Sequence, residues 1–409
     1  MSEPLERAFS PASLGKLPLK NRLLKAATYE GKTPDGVPGQ ALLDFHRDIV
    51  AGGIAMTTIG YCTTEADGRI NDQMMWMHEG NRERLAHMNA ELKNVAPDVA
   101  ISGQMTHCGS FSKVRKLQRL KRPLGPSRWL NLMGMSVGKP ISGTMTVADI
   151  DHLVSTYHDA AKLMKETGFD AAEIHFSHGY GLSQFISPKT NRRTDDYGGS
   201  LANRMRLPLR ALAAVREAVG DDFPIMGKIG LTDGVKGGLE IDEAIEVAAM
   251  LDDAGIDGLI CSGGTSTFNP MVYFRGDTLD KGLLEHETNP IMRLGLKMVG
   301  SSMFKHYPYE ELYFLEDAKR VRDRVKHAQM IYIGGCTELE SIERVMAEGF
   351  DLIQLGRPLI KDPAFVNNAR GNPNYVNGCI HCNRCAGSIE APGGVYCPLN
   401  DEQAEARAS

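Results

Sequence analysis

Between Glu173 and Tyr180 the chain reads EIHFSHGY, which sets two imidazoles and a phenol within six residues at the end of a short apolar run. That trio has a definite chemical use. His175 and His178 can each give an N–H to one carbonyl oxygen, polarising the carbonyl and stabilising enolate-like charge. Tyr180 can then deliver a proton as general acid. His-x-x-His also opens some metal sites, but no third histidine stands close in the sequence to complete one. Histidines that only shape a polar strand end are the plainer alternative, and three such groups within six residues weigh against it.

Gln104 and Lys228 also sit at the ends of short strand-like runs, SGQ and MGKIG. A side-chain amide matches a ring that offers both donor and acceptor atoms. A cation stabilises a ring that becomes anionic on reduction. A flavin has both properties, and the two residues are expected to face each other across a barrel interior. For Lys228 the alternative is a lysine held by an acidic partner. Gly334-Gly335 and Gly356-Arg357 end the last two strand candidates. Glycine-rich turns let backbone N–H groups approach a phosphate, and Arg357 can add a charge-assisted bond. Tight turns that need glycine for their own sake are the competing explanation.

Four cysteines cluster late in the chain, in CIHCNRCAGSIEAPGGVYC. Cys379, Cys382, Cys385 and Cys397 are spaced x2, x2, x11. Four thiolates with CxxCxxC in front suit a [4Fe–4S] cluster. Tetrahedral zinc is the rival, although it more often uses two well-separated CxxC pairs. A reduced, structural group of cysteines is the third option. Cys62, Cys108, Cys261 and Cys336 are scattered near strand ends and read as small buried hydrophobes.

What must position these groups is an alternation of strands and helices. MKETGFDAAEIHF, LDDAGIDGLICSGG and MAEGFDLIQLG each read helix end, Gly, apolar residue, Asp, strand. Gly168, Gly255 and Gly349 fit the left-handed residue that stops a helix. IVAGGIAMTTIG is a looser fourth copy without the Asp. RLLKAAT, VAISGQ, PIMGKIG and MIYIGG supply four more strands, making eight. Several are unbroken apolar runs, as parallel strands buried on both faces require. Ile150, Leu153, Val154, Tyr157, Ala161 and Met164 recur at helical spacing. Thr146 with Asp149, and Thr337 with Glu340, look like capping boxes. The fold class is therefore α/β, a single TIM (β/α)8 barrel with its chemistry at the C-terminal strand ends. An open doubly wound sheet is the competitor, and it lacks support from any Gly-x-Gly-x-x-Gly after an early strand. Residues 108–145 are expected to form a lid after strand three, and 265–312 a long loop after strand six. The basic run from Lys113 to Arg122 reads as a solvated loop face or as an attractor of anionic substrate or cofactor phosphate.

The 409 residues carry a net charge of −5 with no basic block, so a nucleic-acid partner has no support. No apolar run approaches the roughly 20 residues that cross a bilayer. With no apolar signal core at the N-terminus and too few cysteines for a disulfide scaffold, the expected location is the cytoplasm.

The stretch EIHFSHGYGLSQFISPKTNRRTDDYGGSLANR closely resembles the signature of the old yellow enzyme family, the FMN-dependent ene-reductases. LKNRLLKAAT, SGQMTHCG, IYIGG and LGRPLIKDP fall in the matching order around it, so the resemblance covers roughly residues 8–366. It implies FMN at the barrel top, held by residues matching Ala26, Ala27, Thr28, Gly60, Gln104, Lys228, Gly334, Gly335, Gly356 and Arg357. It implies His175 and His178 as substrate donors and Tyr180 as proton donor. NAD(P)H would reduce FMN, flavin N5 would pass hydride to the β-carbon of an activated alkene, and Tyr180 would protonate the α-carbon. Two departures bear on substrate range. Tyr29 stands at a flavin- and substrate-facing position usually filled by Thr or Cys, and Lys228 replaces a frequent Arg, losing its forked geometry. The cysteine spacing resembles the branch containing 2,4-dienoyl-CoA reductase and trimethylamine dehydrogenase. The chain thus divides into an FMN-binding barrel (1–366) and a four-cysteine extension packed on it (367–409).

The resulting expectation is an NAD(P)H:flavin oxidoreductase reducing α,β-unsaturated carbonyl or enoyl compounds. An amine dehydrogenase or demethylase is the alternative, with a cluster as electron outlet, although the histidine pair is built for a carbonyl. An RNA-modifying flavoenzyme conflicts with the acidic balance, and a flavin store would leave Tyr180 idle. A homo-oligomer and an external electron-transfer protein are the macromolecular partners that stay open.

Overall fold

The structure is a computed structural model that describes residues 1–287, 293, 294, 297, 298, 304–391 and 393–402. Eight strands form its centre: β1 (Leu23–Lys25), β2 (Met56–Thr63), β3 (Ala100–Thr106), β4 (Ala171–Phe176), β5 (Ile225–Gly230), β6 (Gly258–Ser262), β7 (Gln329–Tyr332) and β8 (Leu352–Leu355). All pair in parallel, and β1 pairs with both β8 and β2, which closes the ring. That closure rules out the open doubly wound sheet. A helix follows each strand: α1 (Gln40–Ala51), α2 (Arg82–Val95), α3 (Val147–Glu166), α4 (Leu201–Val219), α5 (Ile241–Asp253), α6 (Leu315–Arg322), α7 (Leu339–Ala347) and α8 (Phe365–Gly371). The eight strand candidates in the sequence are these eight strands of a TIM barrel.

The Gly-x-Asp phrase has a common geometry at its three sites. Gly168, Gly255 and Gly349 have φ of +87°, +82° and +86°, the left-handed stop after α3, α5 and α7. Two residues on, each Asp carboxylate accepts the backbone N–H of the preceding strand. Asp170 takes Ile101 at 2.8 Å, Asp257 takes Ile225 at 2.7 Å and Asp351 takes Met330 at 2.9 Å. Each Asp also donates its own N–H to that strand. The phrase therefore ties β4 to β3, β6 to β5 and β8 to β7 where the strands begin.

The capping box at Thr146 and Asp149 is present at the start of α3. The one expected at Thr337 and Glu340 is not formed: Glu338 stands at the N-cap position of α7 without a side-chain capping bond, and Thr337 instead gives its N–H and hydroxyl to Glu311. The Glu311 carboxylate accepts both donors and outcompetes a local cap.

Inside the barrel one apolar residue from each strand, Leu24 on β1 through Leu352 on β8, forms a closed layer. A hairpin of Ala12–Leu14 and Leu17–Leu19 adds Leu14 and Leu19 to it and plugs the N-terminal end. Alternation carries the next inward positions to polar residues, among them Glu173, Lys228 and Gln354, all buried. The interior thus changes from apolar to polar toward the C-terminal ends of the strands.

The segment after β3 folds over that end with short turns and a two-residue parallel pairing of Leu124–Gly125 with Gly143–Thr144. In its basic run Lys113 pairs with Glu390 and Arg119 with Asp149, while Asp67 accepts the backbone N–H groups of Gln118, Arg119 and Leu120. After β6 come a turn at Pro270–Val272 and a helix at Asp280–His286. The rest of that expected loop from 288 to 303 lies outside the described residues apart from 293, 294, 297 and 298, as do 392 and 403–409 of the C-terminal extension. Among the described residues no helix is long and apolar enough to cross a membrane.

Candidate active site

A cavity of about 740 Å³ opens over the C-terminal ends of the strands. Its wall draws on β1 (Ala26, Ala27, Thr28 and Tyr29 just beyond its end), β3 (Gln104), β4 (His175, with His178 and Tyr180 after it), β5 (Lys228), and the turns after β7 (Gly334, Gly335) and β8 (Gly356, Arg357). Of the residues singled out in the barrel, Gly60 alone is not on this wall. It lies behind Ala27, where a Cβ would come within 2.5 Å of the alanine methyl, and it gives its N–H to Glu30.

At the floor, Glu173 of β4 gathers three side chains. Lys228 Nζ lies 2.9 Å from its carboxylate, Gln354 Nε2 donates at 2.8 Å, and Gln104 Nε2 donates as well. Gln104 and Lys228 therefore do not face each other across the barrel. Their strands flank β4, and both reach inward to one carboxylate. Lys228 has the acidic partner and the cavity position at once. Sequence reasoning missed Glu173 and Gln354. The available signal was a charged or amide side chain inside an otherwise apolar strand; Glu173 stands two residues before His175 and so shares its inward face of β4.

The histidines form a directed chain. His175 Nδ1 accepts the Ser177 N–H at 3.2 Å, so the neutral ring carries its proton on Nε2. That Nε2 lies 3.2 Å from His178 Nδ1, and His178 Nε2 lies 2.8 Å from Ser262 Oγ. Burial holds both rings neutral, with Lys228 adding to it. The His175 imidazole is pushed well below its ordinary range and that of His178 to about 3. His178 takes a φ of +61°, which turns its ring back toward His175.

Beside them stands a cluster of phenols. The Tyr180 ring lies 5.1 Å from His175 and 5.2 Å from Tyr61, and Tyr61 stacks on Tyr29 at 5.2 Å. Ser266 Oγ donates to Tyr180 OH at 3.1 Å and sits 3.0 Å from Tyr273 OH. This line of hydroxyls runs from buried Tyr180 to half-buried Tyr273. Burial keeps the Tyr180 phenol protonated well above its ordinary range and pushes Tyr273 up to about 12. Ser266 and Tyr273 were not singled out in the sequence because they lie on the excursion after β6, whose path the strand pattern does not fix; Tyr61 and Ser262 lie in β2 and β6 and were given no role there.

The polar floor has a property that suits a flavin. Gln104 Oε1, Gln354 Oε1 and Thr28 Oγ1 are buried, border the cavity and have no hydrogen-bond partner among the described residues. Buried orphan groups ask for a partner, and amide and hydroxyl oxygens in a broad cavity match the donor edge of a planar ring. At the turn after β7, Gly334 and Gly335 have φ of +118° and +66°, and a Cβ on Gly335 would lie 2.7 Å from Glu310 O. Glycine is needed there for the turn itself.

The late cysteines share one neighbourhood. Burial raises the Cys385 thiol to about 12, and Cys379, Cys397 and Cys382 are near enough to add to that rise. Among the described residues, however, no three His, Cys, Asp or Glu side chains converge as a metal-ligand set. Cys385 borders the cavity. Cys62, Cys108, Cys261 and Cys336 are buried, as small apolar side chains would be.

Comparison with known proteins agrees with this architecture. The profile of the NADH:flavin oxidoreductase / NADH oxidase family matches residues 7–267. A 4,4'-dithiodibutanoate disulfide reductase of Rhodococcus erythropolis is 34% identical over 399 residues, covering 97% of this chain and 96% of that protein. An NADH oxidase of Thermoanaerobacter brockii is 28% identical over 92% of this chain, but the match spans only 52% of its own length. Among solved structures, a 2-naphthoyl-CoA reductase superposes with a TM-score of 0.79 at 23% identity, covering 95% of this chain and 56% of that one. Morphinone reductase superposes with a TM-score of 0.68 at 22% identity, covering 90% of each. The two structures establish the fold; with the family profile matching well over half of the sequence, the chain belongs to the NADH:flavin oxidoreductase / NADH oxidase family, the old yellow enzyme group of FMN- and NAD(P)H-dependent oxidoreductases.

Proposed function

We propose that this oxidoreductase reduces activated C=C bonds of α,β-unsaturated carbonyl or enoyl compounds. The observation that carries the reading is the placement of two neutral imidazoles and a protonated phenol on one cavity wall, with ring centroids 4.8 and 5.1 Å from His175. FMN, when bound, supplies hydride transfer from NAD(P)H to the acceptor. Ala26, Ala27, Thr28, Gln104 and Lys228 would hold its ring, and Gly334, Gly335, Gly356 and Arg357 its phosphate end. Tyr29 would border the ring and the substrate.

The substrate carbonyl oxygen replaces the present acceptors of the His175 and His178 N–H groups. Neutral imidazoles then stabilise charge on that oxygen without surrendering a proton to it. Tyr180 gives its proton to the α-carbon, and Ser266, 3.1 Å behind the phenol, lies on the side from which a proton can return. Tyr180→Phe removes the acid and leaves the walls in place. Expected is a roughly 10²–10⁴-fold loss of enone turnover with unchanged flavin content and an unchanged rate of flavin bleaching by NAD(P)H. Full turnover in that variant would refute the role of Tyr180.

A second reading, disulfide reduction, is favoured by the relative that matches over almost its whole length. There the same proton donors would serve a leaving thiolate. Amine oxidation is the third reaction, supported by fold-level likeness to a histamine dehydrogenase from Rhizobium sp. 4-9 (TM-score 0.76, 21% identity). Anaerobic enzyme reduced by NADH or NADPH and then offered an enone or a disulfide separates the first two by which one restores the yellow colour. Bleaching of the oxidised enzyme by an amine would select the third.

For Cys379, Cys382, Cys385 and Cys397 we propose a [4Fe–4S] cluster, on the chemistry of four neighbouring thiols spaced for it. Iron, sulfide and zinc analysis of anaerobically purified protein decides between cluster, zinc and neither, and a cluster would bring an external electron-transfer protein into play. We divide the chain into the cofactor-binding barrel (1–366) and the extension (367–409), and place the enzyme in the cytoplasm, in keeping with eight cysteines that form no disulfide.

A further inference from the structure

The cysteine segment does more than pass near the barrel. Asn383, between Cys382 and Arg384, is 1% exposed and takes a left-handed φ of +55°. Its Oδ1 accepts Arg357 Nη1 at 2.7 Å. Its Nδ2 donates to Phe274 O at 2.6 Å and Asp277 O at 2.7 Å. The same Nη1 of Arg357 donates to Arg275 O at 2.8 Å. Asn383 is therefore a second tie between the guanidinium and the loop after β6, beside the direct bond to Arg275. The surroundings are built for close approach. A Cβ on Gly276 would fall 2.2 Å from His381 O, and one on Gly387 would fall 2.1 Å from Gly282 C. His381 lies flat on Tyr309, with ring centroids 3.2 Å apart and planes 7° apart, and Arg357 lies over the same Tyr309 ring.

We propose that Asn383 is a positioning residue for Arg357, so that the cysteine segment sets how tightly the enzyme holds the phosphate of FMN. The argument rests on the reading above that Arg357 meets that phosphate. An arginine has many rotamers, and fixing one beforehand removes a cost of binding. The choice of amide is apt. A neutral acceptor orients the guanidinium and leaves its charge for an anion, whereas a carboxylate in that place would neutralise it.

The test is flavin binding by the full-length, flavin-stripped protein, with FMN and riboflavin compared. Asn383→Gly suits a left-handed φ and removes the side chain. Its FMN affinity is expected to fall about tenfold while its riboflavin affinity stays within about twofold, since riboflavin lacks the phosphate. In an Arg357→Ala background the same substitution is expected to have no further effect on FMN. Equal losses for FMN and riboflavin, no loss of FMN affinity, or an undiminished effect without Arg357 would each overturn the proposal. If Arg357→Ala alone binds FMN normally, the phosphate lies elsewhere and the proposal fails with that placement. The carbonyl chemistry assigned to His175, His178 and Tyr180 would stand or fall separately, on turnover.

Discussion

His178 is a buried imidazole with its folded pKa pushed down to about 3, below its ordinary 6.5. A group shifted this way binds protons more readily in the unfolded chain, so the stability tied to its neutral form is intact above pH 6.5 and drains away as pH falls toward 3. Expected is a urea midpoint that declines below pH 6.5, less steeply in His178→Asn than in the unaltered enzyme. No activity step from this ring is expected between pH 6.5 and 8. Glu173 is a sharper case, because it is fully buried and Lys228 has it as ion-pair partner. Glu173→Leu strands a buried cation and is expected to cost about 3–5 kcal/mol in chemical denaturation. Glu173→Gln keeps the shape and should cost less. His175, His178 and Tyr180 were legible in the sequence because their chemistry is crowded into six residues. Glu173 was not, because a lone acid within AAEIHF reveals its meaning only when three other strands bring their side chains to it.

At the scale of the element, the Gly-x-Asp phrase was readable as a repeat, and its handedness could be expected from glycine alone. Its second half could not: that each Asp carboxylate reaches the neighbouring strand's N–H is a matter of barrel closure. Gly255 and Gly349 have open space where a Cβ would stand, so alanine there pays only for left-handed backbone. Each substitution is expected to cost roughly 1–2 kcal/mol, and the two should add, which paired denaturation curves would check. The false capping box at Thr337 has the converse lesson. The local pattern was correct in type, but Glu311, distant in sequence, supplied a better acceptor for the same hydroxyl and N–H.

For the whole molecule, the number and order of strands were legible because each was short, apolar and bounded by glycine. The course of the excursions after β3 and β6 was not, since they carry no periodicity, and with them went Tyr273, Ser266 and the contact with the cysteine segment. The hairpin that plugs the barrel was likewise invisible as a plug. Leu14 is completely buried in the interior layer, and Leu14→Ala is expected to cost about 2–5 kcal/mol by opening a void, measured as a lower thermal midpoint with the flavin spectrum retained. The cavity wall begins at Ala26 and is completed only by Val395. A ribosome-bound chain therefore has no finished chamber until synthesis has passed residue 395. Loading of the yellow ligand should therefore await the arrival of that last wall residue, as a late event in the birth of the enzyme.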